Sequence, residues 1–453
     1  MAVKETTFRL NPTIPHDPVI KLYAERGGVV TPYEFNGWIP ETLSWKESAY
    51  LGTFLSGAMP ALVLKGKDAT RLLDENCVNS FGNMKPNISK HVVMCSEKGN
   101  IIAHGMVLCI AENHYVCYAL QPLLPTLANS GRYDVDHMDM ENFGSYIYQI
   151  GGPKSLEILE QAAQEDLHDI KFLHFHNTKI AGQECRILRI GMAGTLSYEV
   201  HGPVDGCHDV YNTIFEAGKP FGMQKLGNLA YNICNHTENG FGQSNMHFKT
   251  AWEEHQELME NLSKYGSQAK NPLGDKLLGS YSDKVEDYYM NPIELGWGKL
   301  INYKKDFVGK GALEAIKNRP HRHPVTLLWN VEDVVNVYAS QFGDRTVRYR
   351  KMWMPTNLHE LNGGNDQDRV EDALGNVVGV SSGRVYTEYS HDMISMGIVN
   401  EAHTELGKEL FVIWGHKGQP QKKIRVTVSR FPYLDLPTNQ DFDMDSIPRF
   451  LKK

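Results

Sequence analysis

The chain has 453 residues, a formal net charge of −8, and 41% hydrophobic against 22% charged residues. One core stops growing near about 250–300 residues, so we expect two or three domains. The composition is that of a globular protein, and the lack of a long Lys/Arg block argues against a nucleic-acid or anionic-membrane surface. No apolar run reaches the roughly 18 residues of a membrane span, and the polar N-terminus does not resemble a signal peptide.

Common catalytic and metal-binding motifs are missing from the sequence. The seven cysteines include no CxxC pair, which predicts neither a zinc site nor a disulfide framework and favours a reducing cytoplasmic compartment. There is no GxxxxGK[ST] loop, no GxGxxG after a strand, no HExxH and no GxSxG. Nucleotide hydrolysis, zinc proteolysis and α/β-hydrolase chemistry are therefore disfavoured.

Periodicity predicts a repeated alternation of strands and helices. Residues 1–50 show no clear period and predict irregular structure. The following segments predict one helix among four strands, at 61–66, 67–75 (the helix), 91–95, 101–110 and 115–120. A second set resembles the first, with strands at 145–150, 178–181, 185–190 and 197–201 and helices at 154–163 and 206–217. This order predicts two α+β lobes with antiparallel sheets.

The last third of the chain has a different pattern. Residues 240–285 are polar and poor in β-branched residues, which predicts a helical segment followed by a long loop. From about residue 325, short apolar runs alternate with glycine turns, which predicts an all-β, barrel-like region. We therefore expect an αβ region at residues 1–320 and a C-terminal β domain at residues 321–453.

Six sequence blocks narrow the function further. They are NGW (36–38), VLKGKDA (63–69), QIGGPK (149–154), LRIGMAGTLSYEVHGP (188–203), DFVGKGAL (306–313) and GVSSG (379–383). In this order they resemble the glycine-cleavage T-protein (aminomethyltransferase) family over nearly the whole chain. The resemblance implies a three-lobed disc around a central tetrahydrofolate site. GMAG, VEDYY, PVTLLW and VIWG look more like the tetrahydrofolate-dependent aryl ether demethylases of vanillate and syringate than like the T-protein.

The resemblance implies a set of folate-binding residues. Glu199 matches the pterin-binding glutamate, and its place in a strand beside apolar neighbours suits a carboxylate that accepts N–H donors. Gln149 matches the family's glutamine before G-P-K, Met59 and Tyr118 match pocket positions, and Glu238 matches a glutamate after the folate lobe. The alternatives are a solvated strand carboxylate at 199, an amide that satisfies a turn at 149, core positions for Met59 and Tyr118, and a structural role for Glu238.

The chain departs from the family where substrates bind. Ser80, with the asparagine before it, replaces the T-protein's catalytic aspartate, and Leu120 replaces the demethylases' carboxylate-clamping arginine. Ala58 lies near the position of their active-site histidine, and Gly28 near that of a substrate-contacting tyrosine. Because an unpaired buried carboxylate is costly, the resemblance implies a neutral aryl ether in a pocket lined by Leu120, Ala58 and Ser80. A methoxy arene or a methylenedioxyphenyl lignan such as sesamin has this character.

The reaction that this implies moves one carbon from the ether to N5 of tetrahydrofolate and releases a phenol or catechol. His247 or Phe248 falls at the position of the demethylases' acidic tyrosine, and Tyr33 and His236 are weaker candidates for the proton donor. The chemistry needs no protein partner. The alternatives are a T-protein or carboxylate-substrate demethylase, a folate-binding protein without catalysis, and an unrelated α+β protein.

Overall fold

The computed structural model describes residues 9–20, 22–26, 29–56, 61–139, 144–244, 246–264, 277–357 and 365–449. The first third of the chain forms nine strands and three helices within these ranges. They are β1 (Arg9–Leu10), β2 (Leu22–Arg26), β3 (Val29–Glu34), α1 (Trp38–Glu47), β4 (Tyr50–Gly52), β5 (Ala61–Lys65), α2 (Ala69–Asn76), β6 (Ser89–Cys95), β7 (Ile101–Ala111), β8 (His114–Tyr118), α3 (Leu123–Ala128) and β9 (Asp136–Asp139). The sheet of the first lobe has the order β6-β7-β8-β5-β9 and is antiparallel throughout.

The middle third forms most of the second lobe, and its last helix packs against α3 of the first lobe. Its elements are β10 (Ser145–Gly151), α4 (Ser155–Ala163), β11 (Phe175–Ile180), β12 (Gln183–Leu188), β13 (Ser197–Pro203), α5 (Cys207–Gly218), β14 (Gln224–Leu226), α6 (His236–Glu238) and α7 (Gln256–Lys264). A π-helical turn at Ala230–Asn235 runs directly into α6. The sheet has the order β11-β12-β13-β10-β4-β14, so β4 from the first third completes it.

The C-terminal third is a closed barrel. Its elements are β15 (Leu277–Leu278), α8 (Lys310–Lys317), β16 (Arg322–Trp329), α9 (Val331–Ala339), β17 (Asn365–Glu371), β18 (Val377–Thr387), β19 (Asp392–Asn400), β20 (Glu409–Trp414) and β21 (Lys422–Ser429). Strands β17-β18-β19-β16-β21-β20 close through pairing of β17 with β20. The predicted fold class, two antiparallel αβ lobes with a C-terminal barrel, is confirmed. The division near residue 320 stays a prediction.

The prediction of irregular structure for residues 1–50 is wrong for much of the described segment. Strands β2 and β3 form an antiparallel hairpin, and α1 follows it. The start of α1 is held by a long-range contact, because the Glu41 carboxylate accepts the backbone N–H groups of Phe35 and Gly37 and also that of Gly227. The buried face of α1 is mostly polar, with Glu41, Thr42, Ser44 and Lys46 beside Trp45, so the helix has no apolar period in the sequence.

The segment after the barrel returns to the second lobe. Asn439 accepts a hydrogen bond from Arg189 Nε at 3.1 Å and donates one to the carbonyl of Ser197 at 2.8 Å. The backbone N–H groups of Tyr433 and Leu434 both donate to the carbonyl of Glu238. These bonds join the barrel, α6 and β13 around one central space.

The helices and cysteines bear on two further expectations. No helix in the described ranges combines the length and the apolar character that a bilayer crossing requires. All seven cysteines are buried with free thiols. The cytoplasmic compartment expected from them stays a prediction.

A buried ion pair fixes α1 against α6. Lys46 Nζ lies 2.6 Å from Glu238 Oε2, with side-chain exposures of 0% and 2%, and it also donates to the carbonyl of Thr42. Removing one partner leaves an uncompensated buried charge. We expect Glu238→Gln to lower the free energy of unfolding by about 3–5 kcal/mol in urea denaturation. The Lys46→Met/Glu238→Leu double variant should lose less than the two single variants together, and a single-variant loss below about 1 kcal/mol would contradict a buried pair.

Candidate active site

A cavity of about 1150 Å³ lies between the two αβ lobes and the segment that follows the barrel. This volume is slightly larger than the about 300–1,000 Å³ typical of small-molecule pockets. The wall has two chemically different parts. One part is centred on Glu199 of β13, and the other is formed by histidines and aromatic rings of β6, β7 and the segment after α6.

The carboxylate of Glu199 is held by a chain of buried polar groups. Glu199 and Gln149 are directly opposite residues of β13 and β10, and Gln149 Nε2 donates to Glu199 Oε1 at 3.2 Å. The Tyr50 hydroxyl donates to Gln149 Oε1. Burial raises the pKa of Tyr50, which keeps this hydroxyl protonated. Gln149 is fully buried and Glu199 is 7% exposed, so the amide and its tyrosine orient the carboxylate at the cavity wall.

The second oxygen of Glu199 is bound from the same strand. His201 Nε2 lies 2.9 Å from Glu199 Oε2, and His201 Nδ1 lies 3.2 Å from the Tyr118 hydroxyl. Because a carboxylate only accepts, His201 Nε2 donates its proton to Glu199, and burial raises the pKa of Tyr118, which keeps that hydroxyl protonated beside Nδ1. This arrangement leaves the remaining lone pairs of Glu199 available to a ligand.

The other part of the wall is apolar with embedded imidazoles. His91 and His104 lie on adjacent strands with His91 Nε2 3.3 Å from His104 Nδ1, and the Trp297 ring lies about 5 Å from both. Phe241 packs 5.2 Å from His91. Burial lowers the pKa of His91 to about 3 and those of His104 and His236 to about 4. All three imidazoles are therefore neutral near pH 7.

The wall carries little positive charge. Arg430 is the one Lys or Arg among the described residues that line the cavity, and its guanidinium pairs with Asp435 at 2.6 Å. Where the demethylases' arginine was expected, Leu120 is fully buried in the core of the first lobe. Its neighbours Ala119 and Gln121 do reach the cavity.

Several predicted site residues lie away from the cavity wall. Tyr33, on β3, has its pKa raised to about 12 by burial and packs against the central core. The Ser80 carbonyl accepts a bond from Lys90. Tyr118 reaches Glu199 only through His201. Met59 and Ala58, with Gly28, lie outside the described residues.

His247 is a fully buried member of a turn. Its Nδ1 accepts the Gln243 N–H at 3.0 Å, its carbonyl accepts Gln367 Nε2, and its Nε2 lies beside Thr237. Burial lowers its pKa to about 3. This position gives no support to His247 as a proton donor, and Phe248 is likewise fully buried. Glu238 is taken up by the ion pair with Lys46, and its role toward a ligand stays a prediction.

The two histidines of β6 and β7 were not singled out from the sequence. Each is one imidazole in an otherwise apolar strand, a pattern that a core histidine also gives. Their only sequence signal is that β6 and β7 are a predicted antiparallel pair, which places both side chains on one sheet.

One group of possible metal ligands occurs among the described residues, namely Glu160, Asp166 and His168. His168 bonds Glu160 and the carbonyl of Ile447, and Asp166 pairs with Arg449. These contacts attach the C-terminal segment to α4. The group is separate from the cavity wall.

Comparisons with known proteins agree with this architecture. Residues 31–251 match the model of the GCVT N-terminal domain. The chain is 40% identical over 426 residues to sesamin methylene transferase of Sinomonas sp. (strain No.22), covering 92% of this chain and 93% of that protein. It is 28% identical to syringate O-demethylase of Sphingobium sp. (strain NBRC 103272 / SYK-6), with 89% of each chain covered.

A solved structure has the same fold. The glycine cleavage system aminomethyltransferase T from Bartonella henselae superimposes with a TM-score of 0.68 at 16% identity, covering 96% of this chain and 99% of that one. The six ordered blocks, the three-lobed fold and the near full-length similarity lead to one assignment. The chain belongs to the GCVT, or aminomethyltransferase, family.

Proposed function

We propose that the protein is a tetrahydrofolate-dependent one-carbon transferase that cleaves a methylenedioxy or methoxy ether of a neutral arene, such as a lignan, and releases a catechol or phenol. The observation that carries the proposal is the similarity to a sesamin methylene transferase over more than nine-tenths of each chain. The two-part cavity, with a carboxylate in one part and neutral rings in the other, supports it.

The polar part of the cavity fits a reduced pterin. A pterin edge presents several N–H donors, and the wall offers matching acceptors. Elsewhere on the cavity wall, the side-chain oxygens of Asn228, Asn239 and Gln243 are also buried and have no hydrogen-bond partner among the described residues. Buried amide oxygens without a partner are costly, so a ligand that donates to them would be bound favourably.

The residues of this chain supply binding and orientation. Tetrahydrofolate, when bound, would supply N5 as the nucleophile for a methyl group, and both N5 and N10 for a methylene group. One N–H proton would be lost for each aryl oxygen that is released and protonated. Glu199, oriented by Gln149 and His201, would hold the pterin edge by charge-assisted hydrogen bonds. Phe241 of the cavity wall, with Trp297 packed behind it, would pack against the arene and exclude water, so that the two reactants are held in near-attack contact.

The charge distribution favours a neutral substrate. An aromatic carboxylate in this cavity would meet Arg430 alone among the described cationic wall residues, and that guanidinium is already paired. Burying an unpaired carboxylate costs several kcal/mol, so benzoates should bind poorly. A demethylase of carboxylate substrates is for this reason a weaker candidate than an enzyme for neutral arenes. A folate-binding protein without catalysis is the other alternative.

Anaerobic incubation with tetrahydrofolate and separate substrates tests the function. The substrates are sesamin, 1,2-methylenedioxybenzene, 1,2-dimethoxybenzene and vanillate, and mass spectrometry reads both the folate and the aryl product. We expect a catechol together with 5,10-methylene-tetrahydrofolate from a methylenedioxyarene, or a phenol with 5-methyl-tetrahydrofolate from a methoxy arene. Turnover of vanillate would contradict the neutral pocket. Folate binding without product from any substrate would contradict catalysis.

The Glu199→Gln variant tests the pterin site. It keeps the shape and loses the charge, so we expect the dissociation constant for tetrahydrofolate to rise by roughly 10- to 100-fold, because hydrogen bonds to a charged group are worth about 1.5–3 kcal/mol. Titration calorimetry under anaerobic conditions measures this. Glu184→Gln, an exposed glutamate on the neighbouring strand β12, is the matched control and should bind like the wild type. Equal affinities for both variants would place the pterin elsewhere.

A further inference from the structure

Two histidines face one another on the apolar part of the cavity wall. His91 of β6 and His104 of β7 are joined by an imidazole–imidazole hydrogen bond of 3.3 Å between His91 Nε2 and His104 Nδ1. The side chain of Asn79 holds β6 in place, because its Nδ2 donates to the carbonyl of His91 and its Oδ1 accepts the N–H of Val93. In the described part of the chain, no side chain or backbone group bonds the outer nitrogens, His91 Nδ1 and His104 Nε2.

The pair has the composition of a proton relay. Both imidazoles are neutral near pH 7, so each carries one N–H. If His91 Nε2 holds the shared proton, His104 carries its own proton on Nε2; if His104 Nδ1 holds it, His91 carries its proton on Nδ1. Movement of the shared proton therefore changes which outer nitrogen donates and which accepts.

The pair and the Glu199 network lie on the same wall. His104 and Met106 are two residues apart on β7, so their side chains lie on the same face of the sheet, roughly 7 Å apart along the strand. Met106 is directly opposite Tyr118 on β8, and the Tyr118 hydroxyl bonds His201, which bonds Glu199. A ligand that spans this row would present a donor-rich end to Glu199 and an aryl end to the histidines.

We propose that His91 and His104 form a proton relay that delivers a proton to the aryl oxygen released when the ether C–O bond breaks. The inference rests on the proposed function and names the residues that protonate its product. At one end an outer N–H gives its proton to the aryl oxygen, the shared proton crosses between the rings, and the other outer nitrogen accepts the proton that the attacking amine loses. For each C–O bond that breaks, the carbon leaves oxygen for nitrogen and one proton makes the opposite change. The pair is left in its other tautomer, and exchange of its outer protons with water between steps returns it to the first. No oxidant or reductant is needed.

Two isosteric variants separate proton transfer from packing. The substitution His104→Asn keeps a polar atom at the position of Nδ1, and His91→Gln keeps one at the position of Nε2. Neither amide can exchange tautomers as an imidazole does. For His104→Asn and His91→Gln we expect kcat to fall by about 100-fold or more, with KM for the arene changed by less than about 3-fold. The surface histidine variant His208→Gln is the matched control and should keep wild-type kcat.

A binding measurement gives a second readout that needs no turnover. The probes are 4-methylcatechol, which carries the released oxygens, and 1,2-methylenedioxybenzene, which does not offer an O–H group. We expect the catechol to bind about 5- to 10-fold more weakly to both variants, and the methylenedioxy compound to bind equally to variants and wild type. In the wild type itself, added catechol should shift the ring-nitrogen resonances of two histidines in ¹⁵N spectra.

The outcomes distinguish the relay from the function. Product from the wild type, with kcat and catechol affinity retained in both variants, would overturn the relay and leave the proposed function standing. No product from the wild type, with catechol affinity lowered in both variants, would overturn the proposed function and keep the histidine pair as an aryl-oxygen site. Wild-type ¹⁵N spectra unchanged by catechol would overturn the relay even if the variants fail to fold.

Discussion

The architecture of the site depends on a carboxylate kept out of water. Glu199 is 7% exposed on a central strand, so both of its oxygens need partners. The partners are Gln149, directly opposite on β10, and His201, two residues along β13. Tyr50 and Tyr118 hold these partners from β4 and β8. The network therefore ties the sheet of the second lobe to that of the first at the place where the cavity opens.

The contrast between the two parts of the cavity gives it its chemical character. Around Glu199 the wall has acceptors that suit a donor-rich heterocycle, and around His91, His104 and Phe241 it has neutral rings that suit an arene. Desolvation by the aromatic shell keeps His91 and His104 uncharged. Charged substrates are disfavoured by the same desolvation. In the proposed function, binding, substrate selection and proton transfer all depend on how the lobes meet rather than on any one loop.

Much of the fold could be predicted from the sequence because its pattern is local. The apolar runs at residues 61–65, 145–151 and 377–387 are short and bounded by turn residues, which is typical of strands. Strands of both lobes and of the barrel were therefore predicted near their observed positions. Helix α1 was not predicted, because its buried face is mostly polar and the Glu41 carboxylate on that face is held by the distant N–H of Gly227. Of the site, Gln149 and Glu199 were each predicted from a family block, but that they lie directly opposite one another on β10 and β13 is seen only in the structure. The histidine pair was not predicted, because the diagonal contact across β6 and β7 depends on register.

The most direct test of the central claim, that one cavity holds a folate at Glu199 and an arene at the histidines, is a crystal structure with tetrahydrofolate and 4-methylcatechol bound together. We expect the pterin edge within hydrogen-bond distance of Glu199 and a catechol oxygen within hydrogen-bond distance of His91 or His104. A pterin bound away from Glu199, or a catechol bound out of contact with His91, His104 and Phe241, would contradict this claim.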